Sequence, residues 1–109
     1  MTNSSKIHAL RLEELLAEPE LIGIDNVLWG ATEFDFRRPN GDTVAEVDLI
    51  LFNGDYHIIE YKRSCTRRTR ARAAEQLYRG WEQVNQYFGA DPVMLFVYGR
   101  YIAEQIMRE

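Results

Sequence analysis

The residues Val44-Ala45-Glu46-Val47-Asp48-Leu49-Ile50-Leu51-Phe52, Asn53-Gly54-Asp55 and Tyr56-His57-Ile58-Ile59-Glu60-Tyr61-Lys62 follow one another without a break and decide how the chain folds. The outer two runs are rich in branched and aromatic side chains, and Asn53-Gly54 between them is a strong short-range hairpin signal. Three charges are embedded in these runs: Asp48 in the first, Glu60 and Lys62 in the second. Side chains at i and i+2 of a strand share a face, so Glu60 and Lys62 point the same way. A two-residue Asn-Gly loop sets Asp48 opposite Ile59 and sends it to the other face from Glu60. A three-residue loop, Asn53-Gly54-Asp55, sets Asp48 opposite Glu60 and Glu46 opposite Lys62, and a bulge near Asp48 has the same effect. The three-residue loop or the bulge is therefore expected. Two carboxylates and one ammonium then converge on a twisted hairpin, which suits a hard divalent cation and an activated water. The plainer alternative is that Glu60 and Lys62 form an ion pair on a solvated strand.

Working outward, Thr32 to Arg37 alternates with Phe34 and Phe36 on one face, and Pro39-Asn40-Gly41-Asp42 turns the chain into the Asp48 strand, giving a three-strand meander. Upstream, Ser5 is placed to cap a helix through about Leu16 that buries Leu12, Leu15 and Leu16, carries Glu13 and Glu14, and stops at Pro19. Met1 to Ser5 reads as a frayed tail. Downstream, Ser64 or Thr66 caps a helix to about Phe88, with Ala74, Leu77, Trp81, Val84 and Phe88 at three- and four-residue spacing. A second stripe of that helix carries Gln76, Gly80, Gln83 and Tyr87. Gly80 costs up to about 1 kcal/mol against Ala there, which signals close approach of a backbone, a ligand or the sheet. Val93 to Tyr98 is apolar throughout, as in a strand covered on both faces and parallel to its neighbour. Gly99 breaks it, and Tyr101 to Met107 reads as a short amphipathic helix.

With 109 residues and 46% hydrophobic content the chain suits one domain with one core. The single cysteine, Cys65, excludes an internal disulfide framework. With no secretory leader or long apolar span at the N-terminus, a cytoplasmic setting and no membrane association are expected. The net charge of −4 argues against binding nucleic acid by bulk electrostatics. Its distribution matters more: Lys62, Arg63, Arg67, Arg68, Arg70, Arg72 and Arg79 lie within 62–79, opposed only by Glu75, while twelve of the seventeen acids lie in residues 1–61. A local basic strip beginning at the end of the Glu60 strand is what phosphate contacts require. A solvated helix face, or salt bridges to the acidic half, is the competing account.

The order helix, three strands, helix, strand, together with Asp48 on the second strand and Glu60-Tyr61-Lys62 on the third, resembles the PD-(D/E)XK nuclease superfamily. The likeness is strongest over Glu46-Val47-Asp48-Leu49-Ile50 and Ile58-Ile59-Glu60-Tyr61-Lys62-Arg63, which is similar to archaeal-type and RecB-like members. Gln83-Val84-Asn85-Gln86-Tyr87 matches the QxxxY element of the RecB-like branch, and Ala74-Glu75-Gln76-Leu77 resembles the helix glutamine of others. The residue before Asp48 is Val47, not the proline of the motif name, and the chain is near the minimum length for the fold.

The resemblance implies an α/β (α+β) protein with a restriction-endonuclease-like αβββαβ core and a mixed sheet flanked by helices. It implies a divalent-metal-dependent DNA endonuclease, with Asp48, Glu60 and Lys62 catalytic. Mg²⁺ or Mn²⁺ would be held by Asp48, Glu60, the Tyr61 carbonyl and one of Glu13 or Glu14, with Glu33 and Glu46 in reserve. Gln76, or Gln83 with Tyr87, would support the site, and Arg63, Arg67, Arg68, Arg70 and Arg72 would contact DNA. So small a unit implies a homodimer for duplex cleavage. The alternatives are a catalytically silent nucleic-acid-binding or subunit-type module on the same fold, and a structural dimerisation domain.

Other chemistries fare poorly. His8 and His57 lack zinc-ligand spacing, Cys65 lacks a sequence-near histidine base, and there is no phosphate-binding glycine loop.

Overall fold

The computed structural model describes residues 3–108, and its elements run α1 (Asn3–Ala17), a 3-10 turn (Pro19–Ile22), β1 (Trp29–Arg37), β2 (Thr43–Phe52), β3 (Tyr56–Lys62), α2 (Arg67–Phe88), β4 (Val93–Tyr98) and β5 (Ile102–Ile106). The strands form one sheet in the order β1-β2-β3-β4-β5. All neighbours are antiparallel except β3 and β4. The class is a mixed α+β fold with a five-stranded mixed sheet and two helices. No helix among the described residues is long and apolar enough to cross a membrane.

The hairpin loop is three residues long, since Phe52 pairs with Tyr56. Gly54 takes φ 104°, and the Asp55 N–H donates to the Asn53 side-chain oxygen at 3.1 Å, which closes the turn. Leu12 and Leu15 of α1 meet Leu49, Leu51, Ile59, Tyr61, Leu95 and Val97 on one face of the sheet. Ala73, Leu77 and Val84 of α2 meet Ala45, Val47, Ile50, Ile58, Met94 and Phe96 on the other. β4 alternates between the two clusters, which explains its unbroken apolar sequence.

Ala45 and Val47 pack toward α2 whereas Leu49 and Leu51 pack toward α1, so the strict alternation of β2 slips by one at Asp48. β1 slips at the same level. Ala31, Phe34 and Phe36 all face α2, and Glu33 between them has φ 50°. Thr32↔Leu49 and Phe34↔Val47 pair normally on either side. A paired irregularity therefore sits beside the charged residues, as bulges commonly do.

Three details differ from the sequence reading. α1 takes in Asn3 to Ser5, assigned above to a tail; Met1 and Thr2 lie outside the described residues. Pro19 stops α1 but opens the 3-10 turn, where a missing N–H costs nothing. Tyr101 to Met107 is not a helix: Gly99, at φ 63°, reverses the chain, and β5 pairs antiparallel with β4 from Tyr98↔Ile102 to Met94↔Ile106. Ile106 is buried, Ile102 is exposed, and Glu104 between them bonds Arg70. An edge strand with one covered face leaves too short an alternation to outweigh the helical spacing of its apolar residues.

α2 begins at a capping box, in which Thr66 Oγ1 accepts from the Thr69 N–H at 3.1 Å and Thr69 Oγ1 accepts from the Thr66 N–H at 2.9 Å. Gly89, at φ 64°, ends it. Gly80 is accounted for by helix-on-sheet packing, because a Cβ there would stand 2.6 Å from Val47 Cγ1 and 3.2 Å from Ile58 Cδ1. Val47 is β-branched and fully buried, so it cannot swing aside. Gly80→Ala is expected to destabilise the fold by about 1–3 kcal/mol despite the better helix propensity of Ala. Urea unfolding checks this, and adding Val47→Ala should recover part of the loss relative to Val47→Ala alone.

Candidate active site

The ladder between β2 and β3 runs from Phe52↔Tyr56 to Leu49↔Ile59 and then stops, although β2 extends back to Thr43 and β3 on to Lys62. Beyond that point side chains answer the backbone. The Tyr61 N–H donates to Asp48 Oδ2 at 2.9 Å, and the Asp48 N–H donates to Glu60 Oε2 at 3.3 Å. The N–H and C=O of one strand residue point to the same neighbour, so the Tyr61 carbonyl opens onto the same seam. Asp48 and Glu60 thus meet in a gap between two strands.

Their electrostatics separate them. Glu60 is 1% exposed. Burial first, then the hydrogen bond and charge of Asp48, push its carboxyl up to about 10, with Lys62 pulling weakly the other way. Burial also pushes Asp48 up, but hydrogen bonds from His8, Glu60 and the Tyr61 N–H outweigh it and hold Asp48 below the usual range. Glu60 therefore keeps the proton and Asp48 carries the charge.

α1 contributes His8, whose Nε2 lies 3.2 Å from Asp48 Oδ2 and whose ring leans on Tyr61 at 5.8 Å. Its hydrogen bond to Asp48 raises the imidazole pKa against the opposing effect of burial. The reading by residue type set His8 aside. Its spacing was the available signal, because His8, Leu12 and Leu15 fall four and three residues apart on the buried side. Glu13 lies on the exposed face with Lys6, Ala9 and Leu10, and Glu14 pairs with Arg11 at 2.8 Å; among the described residues neither bonds a residue of the seam. Glu46 pairs with Asp35 across β1 and β2. Burial and Asp35 raise the Glu46 pKa.

Lys62 lines a cleft with Arg72, Glu75, Gln76 and Arg79. The Gln76 Oε1 is buried without a hydrogen-bond partner among the described residues. Gln83 is buried further along α2, and Tyr87 stacks on Phe36 at 6.2 Å with its hydroxyl donating to the Arg37 carbonyl at 3.5 Å. Of the three helix residues singled out, Gln76 alone lines the Lys62 cleft. The arginines also divide. Arg70 grips Glu104 through Nε and Nη2, and Arg79 holds Glu75 at 2.7 Å. Arg67, Arg68 and Arg72 are exposed and make no ion pair among the described residues; Arg63 is exposed beside them. The first turn of α2 holds arginines and no acid, the reverse of what the helix dipole favours unless an anion is near.

Among the described residues no group of three or more His, Cys, Asp or Glu side chains is arranged to hold a metal ion. A cation of the Mg²⁺ type is held by one or two carboxylates and keeps several waters. A cation in the seam would take Asp48, Glu60 and the Tyr61 carbonyl, in place of the shared proton. No family model matches the chain, and no curated protein or solved structure matches it.

The Glu60 proton has a consequence for stability. Below pH 4.5 both folded and unfolded chains hold it; between 4.5 and about 10 only the folded chain does, so stability falls as pH rises through that window. Gln cannot ionise and its Oε1 can still accept the Asp48 N–H. Glu60→Gln is therefore expected to stabilise the fold at pH 8 by on the order of 2 kcal/mol, with the gain vanishing near pH 4.5. Denaturation at the two pH values checks it.

Proposed function

We propose that the protein is a divalent-metal-dependent nuclease acting on DNA, with a restriction-endonuclease-like core. The observation that carries this reading is the open seam in which Asp48 and Glu60 meet beside the Tyr61 carbonyl, with Lys62 next to them and a basic helix start adjoining. Bound Mg²⁺ or Mn²⁺ would acidify a water and offset charge on a phosphate. Asp48 and Glu60 supply the anionic oxygens, and His8 fixes the orientation of Asp48 through the 3.2 Å contact. Lys62, two residues beyond Glu60 on the same face, orients the attacking water and faces the charge that develops on the phosphate. Arg63, Arg67, Arg68 and Arg72 attract the backbone by local charge in a chain that is acidic overall. One such basic face engages one strand, so cutting both strands of a duplex calls for two copies.

The second reading, a nucleic-acid-binding module without turnover, is favoured by the position of Glu13 and Glu14, neither of which bonds a seam residue among the described residues. Purified protein with Mn²⁺ or Mg²⁺ is expected to cut single-stranded, branched or linear DNA. Asp48→Ala should lower turnover at least about 100-fold while leaving DNA affinity in EDTA within about threefold, and Lys62→Ala should lower turnover by at least as much. Folded wild type that binds DNA and cuts none of these substrates would leave the binding module. A protein that neither cuts nor binds in a salt-dependent manner would exclude both.

A further inference from the structure

We infer that the free edge of β1, with the aromatic surface beside it, is the contact through which two copies of this chain associate. α2 lies over β2, β3 and β4, and reaches β1 through Tyr87 and Phe88 of its last turn, which meet Phe36. The rings of Trp29, Phe34, Phe36, Tyr56, Tyr87 and Phe88 form one connected set with centroids 4.9 to 6.5 Å apart. The chain itself covers that set incompletely: Tyr87, Phe88 and Trp29 are 49%, 41% and 39% exposed. A groove of about 310 Å³ opens between Phe34, Phe36, Tyr87 and Phe88, with Asp35 and Arg37 at its rim. Exposed aromatic rings flanked by arginine are the composition of a protein–protein contact.

Beside this patch, β1 is the end strand of the sheet and offers unpaired backbone groups. From Phe34 to Phe36 it pairs with β2 without a slip, and the extra residue after that point, Val44, belongs to β2. A further strand can therefore add to this stretch. The charges select a second copy as that strand. Asp35 and Arg37 are two residues apart and share the face opposite Phe36. Two antiparallel copies of β1 related by a two-fold axis at Phe36 set each Asp35 opposite the other copy's Arg37, and Phe36 opposite Phe36. Moving the axis to Asp35 or to Arg37 sets like charges against each other, so charge fixes the register as well. Glu33, Asp35 and Glu46 work against a phosphate chain on the same patch. The contact joins two five-stranded sheets edge to edge and closes on itself. It goes beyond the nuclease reading and does not rest on it, although it supplies the two copies that duplex cutting calls for.

Sedimentation velocity of the full chain should show a monomer–dimer equilibrium within about 1–100 μM. Arg37→Asp and Asp35→Arg each set like charges opposite one another across the axis, and each should weaken self-association at least about tenfold. Mixed in equal amounts, the two variants should recover the dimer, because every facing pair then has opposite signs, and native mass spectrometry should find the mixed species in preference to either homodimer. Recovery between chains separates this contact from the 2.9 Å pair of Asp35 and Arg37 within one chain, which mixing cannot restore. The Arg37 side chain is exposed, so Arg37→Asp should fold. Should Asp35→Arg not fold, Arg37→Asp alone decides. Monomer alone at about 100 μM, variants that associate as wild type does, or two folded variants that give no mixed dimer would overturn the interface. The two readings fail separately. A dimer that responds to these changes but cuts no DNA loses the nuclease reading alone, and a monomer that cuts single-stranded DNA loses the interface alone.

Discussion

The contact between Asp48 and Glu60 across the opened β2–β3 seam is the constraint from which the rest follows. Two carboxylates cannot both be ionised side by side away from water, so one proton stays with Glu60 while Asp48 takes the Tyr61 N–H and His8. That arrangement ends the strand ladder four residues from the hairpin and spends backbone donors on side-chain oxygens. It also requires Asp48 to leave the regular alternation of β2, which the paired irregularity at Glu33 permits. The apolar residues on either side, Val47 toward α2 and Leu49 toward α1, are fully buried and hold the slipped register in place.

Helix packing carries the seam outward to the surface. Gly80 lets α2 lie directly on Val47 and Ile58, so its axis sits close to the sheet. Gln76, one turn earlier, and Arg72, one turn before that, are thereby brought over Lys62. The Thr66 capping box fixes where the helix starts, and Arg70 ties that start to Glu104 on β5. The ion pair is exposed and adds little energy. Its effect is positional, because it withdraws one arginine from the basic strip and leaves Arg67, Arg68 and Arg72 facing solvent.

Much of this was legible beforehand because it depends on local rules. A three-residue loop or a bulge followed from setting Asp48 opposite Glu60, the helix cap from Ser64 or Thr66, of which Thr66 is the cap, and the two-sided cover of β4 from its unbroken apolar run. What escaped depends on distant packing. Ile102, Ala103, Ile106 and Met107 suit a helix by spacing, and only pairing with β4 makes them an edge strand. The resemblance implied one of Glu13 or Glu14, whereas the helix phase set by Leu12 and Leu15 turns His8 to the seam. The two helix glutamines were inseparable by motif, and the crossing of α2 over the sheet puts Gln76, and not the Gln83–Tyr87 pair, at the Lys62 cleft.

Charge is distributed with the same logic. Asp35, Glu46 and Asp48 crowd one region of β1 and β2, and Arg37 answers Asp35 at 2.9 Å. The start of α2 carries the opposite sign with few counter-ions. Screening confines each field to about 10 Å at ordinary ionic strength, so a polyanion reaching the cleft meets the nearby arginines and not the net charge of −4. The acids beyond them repel it. On the proposed reading a nucleic-acid backbone is therefore held along the α2 side of the seam and kept off the β1 side. An acidic protein can then engage a phosphate chain in one orientation, with the orientation set by the sheet and not by sequence contacts to bases.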